Sequence, residues 1–196
     1  MKRQVTSVLI AAMLFCSSAI ADTDTQDTYW FADGTSAGGK SHLTRTEEMI
    51  LVTVEAANLM PGDAVTLWWV VFNNPDGCSG GVCGDDEFAP GNEGLLVAAE
   101  VAVGNASGNV VKENGTLEFG SALRPNSNDD HQVVFGAGFA SDYLLTTTTD
   151  AAEVHVVVQT HGQARGGKKL RQQLSYLEAN CTPSCADVQF SVHVAP

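Results

Sequence analysis

Histidine, cysteine and clustered carboxylates are sparse enough in this chain that each group can be read separately. The stretch AAEVHVVVQTHG (151–162) is an apolar strand-forming run that carries two of the five histidines. With a strand's period of two, Val154, Val156 and Val158 share one face, and Glu153, His155, Val157, Gln159 and His161 share the other. In the closing run ADVQFSVHV (186–194), Val188, Phe190, Val192 and Val194 share a face, opposite Asp187, Gln189, Ser191 and His193. If the two strands pair, the expectation is one polar strip holding His155 and His193 with Glu153 or Asp187 beside them. Two imidazoles and a carboxylate would suit zinc or copper. The competing expectation is an ordinary solvent-facing or hydrogen-bonded polar face.

A second candidate follows directly. His161 ends its strand at GQARGGKKLR, where Arg165, Lys168, Lys169 and Arg171 crowd together in an otherwise acidic chain. Such a cluster could meet a carboxylate, sulfate or phosphate, with Gly166-Gly167 letting the backbone approach. The alternative is a solvated hairpin tip that keeps a sheet edge soluble. Asn126, Asn128 and Asp130, next to Asp129, have the alternating oxygens of a calcium loop. However, His131 stands where the tight-turn glycine belongs, and no Glu closes the loop. Nucleophilic catalysis has little support: there is no G-x-S-x-G elbow, and phosphate-binding glycine loops are absent.

The cysteines speak to redox compartment. Setting aside Cys16, four remain: Cys78 and Cys83, then Cys181 and Cys185. Four cysteines allow three pairings, and local pairs are expected because Gly80, Gly81 and Pro183 permit tight turns. Each short loop would stabilise by about 2 kcal/mol in the loop-entropy picture. A four-thiolate zinc site is the rival, which these spacings fit poorly.

Strands must position all of this. EMILVTVEAANL and AVTLWWVVF flank a Pro61-Gly62-Asp63 turn and read as a hairpin. GLLVAAEVAVG (94–104) reads as a strand, and Asn114-Gly115 as a second hairpin turn into TLEFGSAL. QVVFGAGF is a short strand candidate, and KKLRQQLSYLE the sole helix candidate. Residues 22–45 are expected to be a polar arm, loose up to about Lys40 and pinned by Trp30 and Phe31. Residues 46–196 then form an all-β domain, an antiparallel β-sandwich or small Greek-key barrel of about seven or eight strands.

Residues 1–21 have the charged start, short apolar run and Ala19-Ile20-Ala21 small-x-small end of a secretory signal peptide. The whole chain has 23 acids against 10 bases and a net charge of −13, and Lys2 and Arg3 would leave with the signal. That balance argues against a nucleic-acid binder relying on global charge. After signal cleavage no integral membrane segment is expected, and the protein would be secreted or periplasmic.

LWWVVFNNPDGC (67–78), AEVHVVVQTHG (152–162) and DVQFSVH (187–193) resemble segments of a group of uncharacterised bacterial exported single-domain proteins. The resemblance implies an exported domain and transfers no catalytic residue. The expectation is therefore an exported, disulfide-stabilised binding module for a small ligand, metal ion or surface component, with no cofactor specified. A zinc- or copper-dependent enzyme using His155 and His193 is one alternative. A calcium-binding structural or adhesive module is the other.

Overall fold

The computed structural model describes residues 22–127, 133–134 and 143–196. Among the described residues nine antiparallel strands make one sheet: β1 (Asp22–Trp30), β2 (Ser36–Arg45), β3 (Ile50–Ala56), β4 (Asp63–Phe72), β5 (Val101–Val110), β6 (Leu117–Leu123), β7 (Val133–Val134), β8 (Glu153–Gln163) and β9 (Ala186–His193). Their order across the sheet is β6-β3-β2-β1-β9-β8-β4-β5-β7. The sheet curls until β6 meets β5, where Ser121 Oγ donates to Ala106 O at 3.0 Å. The result is a nearly closed small barrel, as the strand-rich sequence implied. Strand alternation sends Ile50, Val52, Val54, Leu67, Trp69, Phe119, Val154 and Val156 into its interior. Strand β4 is buried on both faces, because Val70 and Phe72 enter a second, outer core.

That outer core belongs to the long connection between β4 and β5. It contains α1 (Asp85–Phe88) and α2 (Glu93–Ala98), and the Cys78–Cys83 disulfide closes its tip. Cys83, Leu96, Ala99 and Val101 pack there on Val70 and Phe72. Glu87 holds the turn together, its carboxylate accepting from Ser79 N–H at 2.8 Å, Ser79 Oγ–H at 2.9 Å and Gly84 N–H at 2.6 Å. Burial alone would raise the Glu87 pKa, but these bonds outweigh it and hold the group below its ordinary value.

Several local expectations change. The segment read as a polar arm is two strands, β1 and β2, paired from Asp22↔Arg45 to Tyr29↔Ser36. Their inward side is small and polar (Thr28, Gly39, Ser41), so no apolar alternation announced them. Gly39 is needed for this packing, since a Cβ there would lie 2.1 Å from Glu55 O. Strands β3 and β4 are not a hairpin, for β3 pairs with β2 and β6, and β4 with β8 and β5. Their connection spends its hydrogen bonds on the next turn instead: Leu59 N–H donates to Gly115 O and Gly62 N–H to Val111 O, both at 3.0 Å. The Asn114-Gly115 turn forms, but β6 leaves β5 to pair with β3. Residues 94–104 split into α2 and β5, with Glu100 in the left-handed region (φ 50°) stopping the helix. Of QVVFGAGF only Val133–Val134 lies within the described residues, as β7. The helix expected around residues 168–178 is shorter, α3 (Gly167–Gln173). Among the described residues no helix is long and apolar enough to cross a membrane.

Candidate functional site

The odd-numbered face of β8 points outward, yet it is covered. Residues 83–88 of the disulfide loop flank one side and the β1–β2 turn (31–34) with Leu177 the other, leaving a cavity of about 800 Å³ over the strands. Phe31, Trp68, Val70, Phe88, His155 and Phe190 are among its lining residues, with Asp33, Asp85 and Asp187 the charged ones. The aromatic walls are tied together: Phe31 meets Phe190 at 5.0 Å between centroids, and Phe72 meets Phe88 at 6.2 Å and His155 at 4.9 Å. His155 Nε2 donates to Glu153 Oε1 at 2.7 Å, and the same oxygen accepts the Cys83 N–H at 2.9 Å. One buried carboxylate thus orients the imidazole and docks the disulfide loop on the sheet. At the opposite rim Asp187 accepts from Gln159 Nε2 at 2.9 Å. Desolvation raises the Asp187 pKa despite that bond.

The structure brings Glu153 and His155 together but separates them from His193. In the β8–β9 register His155 faces Val192, whereas His193 faces Val154, so the two histidines lie on opposite sides of the sheet. The shared strip required for a two-histidine metal site is not assembled. A register offset of one residue reverses every side chain, and the sequence alone did not fix it. His193 instead lies in the barrel interior, 0 % exposed. Its Nδ1 donates to Asp24 Oδ2 at 2.8 Å, and its Nε2 accepts from Ser41 Oγ at 2.8 Å.

This Asp24–His193–Ser41 chain has the hydrogen-bond order of a catalytic triad, but it lacks the rest of one. Ser41 is also 0 % exposed, and its backbone is committed mid-strand between Gln26 of β1 and Val54 of β3. No substrate carbonyl could reach it, and no N–H beside it remains for an oxyanion. Its role is structural: the β1–β9 ladder holds only Tyr29↔Phe190 and Trp30↔Gln189, and these side chains continue the join. Arg45 reinforces it, donating through one terminal nitrogen to Ala152 O at 2.9 Å, with the His193 and Val194 carbonyls at 3.4 and 3.3 Å. Burial lowers the His193 pKa more than the Asp24 bond restores it.

His161 shares the outward face with His155 and is wholly buried beneath the 181–185 loop. Trp68 Nε1 donates to Thr66 Oγ1 at 2.7 Å, and the Thr66 hydroxyl donates to His161 Nε2 at 3.0 Å. Nδ1 carries the ring proton toward Ala179 O at 3.2 Å, with Cys185 Sγ also 3.2 Å away. Burial holds the His161 pKa below its ordinary value. Cys185 is bonded to Cys181, so both cysteine pairs are local disulfides. Only glycine fits at 162, where φ is +72° and a Cβ would lie 1.8 Å from Thr182 O.

The basic cluster divides. Arg165 Nε donates to Thr182 Oγ1 at 3.0 Å, while Lys168, Lys169 and Arg171 are exposed on α3. None of the four lines the cavity. Of the calcium pattern, Asn126 is described, with its N–H donating to Leu145 O at 2.7 Å. Asn128, Asp129, Asp130 and His131 lie outside the described residues. Ser41, Asp24, Thr66 and Phe88 were not singled out in the sequence, and Phe31 was expected to pin an arm rather than to wall a cavity. The one available signal was the period-two run Ala37, Gly39, Ser41, Leu43, Arg45.

Fold and site together define a disulfide-stabilised all-β barrel with a roofed cavity on its outer face. No protein-family model, curated protein or solved structure matches the chain.

Proposed function

We propose that the protein is an exported binding module that holds a small, mainly apolar molecule in the outer-face cavity. The observation that carries this reading is the cavity itself, about 800 Å³ and walled by Phe31, Trp68, Val70, Phe88 and Phe190. That size and lining fall within the usual range for small-molecule sites, roughly 300–1,000 Å³. His155, oriented by Glu153, is the polar anchor for one hydrogen-bonding group on the ligand. Export is supported by the signal-like residues 1–21 and by the two disulfides, and Asp22 is then the first residue of the mature chain. Intact-mass measurement of secreted protein tests that step: a mass retaining residues 1–21 contradicts it.

Titration with the neutral apolar fluorophore N-phenyl-1-naphthylamine, read by probe emission and tryptophan quenching, tests binding, since Asp33, Asp85 and Asp187 on the rim disfavour an anion. Val157 faces the cavity, so Val157→Trp should project an indole into it and weaken probe binding at least tenfold without lowering the melting temperature much. With Nε2 donating to Glu153, Nδ1 of His155 is left as an acceptor, so His155→Leu should weaken a probe that carries an N–H donor more than one that carries none. Unchanged affinity in a folded Val157→Trp protein contradicts the proposal.

A further inference from the structure

The two disulfides differ in their surroundings. Cys83 is buried in the outer core among Val70, Phe72 and Leu96, whereas Cys181 and Cys185 are half-buried against an imidazole. We propose that His161, Cys181 and Cys185 form a redox-gated site for a thiophilic metal ion, closed as the disulfide and open as the dithiol. The inference is independent of the cavity reading. Among the described residues these three are the one set of three or more His, Cys, Asp or Glu side chains whose ligand atoms all lie within 4.8 Å of one another.

The scaffold that holds the cysteines over His161 does not rely on the S–S bond. Thr182, between the cysteines, donates its N–H to His161 O at 3.0 Å, an approach that Gly162 permits. Buried Gln173 donates to Gln163 O and Asn180 O, each at 3.2 Å, fastening α3 and the start of the loop to the end of β8. His161 has the supporting contacts of a metal-ligating histidine, with Thr66 on its far nitrogen and Trp68 behind Thr66. Two thiolates on one tetrahedral zinc ion sit about 3.8 Å apart, given Zn–S bonds near 2.3 Å. Side-chain rotation can supply that separation across Cα atoms 5.0 Å apart.

Opening requires a dithiol reductant. Its thiolate attacks Cys181 Sγ, the S–S bond breaks, and the electron pair leaves on Cys185 Sγ beside His161 Nδ1. The second reductant thiol then resolves the mixed disulfide, freeing Cys181 and leaving the reductant oxidised. Two electrons and two protons have entered the pair. The incoming ion displaces both thiol protons to solvent and takes the Nδ1 lone pair, and the ring proton moves to Nε2 and donates to Thr66 Oγ1. The positive charge of Arg165, hydrogen-bonded to Thr182, favours the thiolate forms. A Cys₂His set leaves a fourth position open.

The test uses the full mature chain, reduced anaerobically and freed of reductant, with Zn²⁺ titrated against a chromophoric chelator. The reduced protein should bind one Zn²⁺ with sub-micromolar affinity and the oxidised protein none. His161→Ala should weaken binding at least tenfold, and Cys181→Ser/Cys185→Ser should abolish it. In the reduced wild type, Zn²⁺ should protect Cys181 and Cys185 from iodoacetamide while Cys78 and Cys83 are alkylated, a readout that needs no variant. Equal alkylation of all four cysteines overturns the proposal, as does tight Zn²⁺ binding by the reduced Cys181→Ser/Cys185→Ser protein or unchanged affinity in His161→Ala.

Discussion

His193 and His155 are 38 positions apart and sit on adjacent strands, yet one is locked in the barrel interior and the other faces a cavity. What a histidine does here depends on register, and register was not readable from two short alternating runs. The interior relay makes a pH prediction. His193 faces Asp24, Ser41 and Arg45, with His155 acting across the sheet. Its folded pKa lies below the ordinary 6.5, so the unfolded chain takes up a proton first as pH falls. The stability it contributes is complete above about pH 6.5 and is lost as pH drops toward the folded value. Asp187, with a raised pKa, acts in the opposite sense as pH rises from its ordinary 3.8. Urea denaturation between pH 7.5 and 5 should show falling stability in the wild type and a flatter profile in His193→Asn; equal slopes contradict the assignment. Ser41→Ala removes the donor to buried His193 Nε2 and should cost about 1–3 kcal/mol by the same measurement.

At the scale of elements, the buried strands were the legible part. AVTLWWVVF and AAEVHVVVQTHG are apolar on their inward positions and became β4 and β8. Strands β1 and β2 were not legible, because their inward positions include Thr28, Gly39 and Ser41, where Thr28 accepts from Gly39 N–H and Ser41 bonds to His193. Two turns form where they are expected, at Pro61-Gly62 and Asn114-Gly115, but neither joins strands of one ladder: each carries the chain over the seam where β6 and β3 come round to β5 and β4. Turn chemistry specifies local geometry, while the choice of partner strand follows from closing the barrel. One glycine carries a sharp test at this scale. Gly162→Ala forces a Cβ into Thr182 O and a left-handed φ on alanine, so the 181–185 loop must lift from β8. Hydrogen exchange should quicken at Thr182 N–H, and stability should fall by about 1–3 kcal/mol. Unchanged protection at Thr182 contradicts the clamp.

For the molecule as a whole, the barrel and its outer roof divide the work. The interior core supplies cohesion. Phe119 is fully enclosed there, so Phe119→Ala should cost about 3–5 kcal/mol in chemical denaturation. The outer cover, built from the disulfide loop, the β1–β2 turn and Leu177, supplies the cavity, and no run of residues announces it. Phe31, Trp68, Phe88, His155 and Phe190 come from five separate stretches and converge only because the sheet curls and the loops fold back. The candidate site was thus legible as single residues, His155 and Glu153 foremost, and not as a shape. The proposal that this cavity binds a small apolar molecule is tested most directly by amide and indole chemical-shift mapping during titration with neutral N-phenyl-1-naphthylamine. The expected result is saturable shifts concentrated at Trp68, Val103, His155, Val157 and Phe190, and lost in Val157→Trp. Shifts scattered over the surface, or confined to the exposed face of α3, would contradict it.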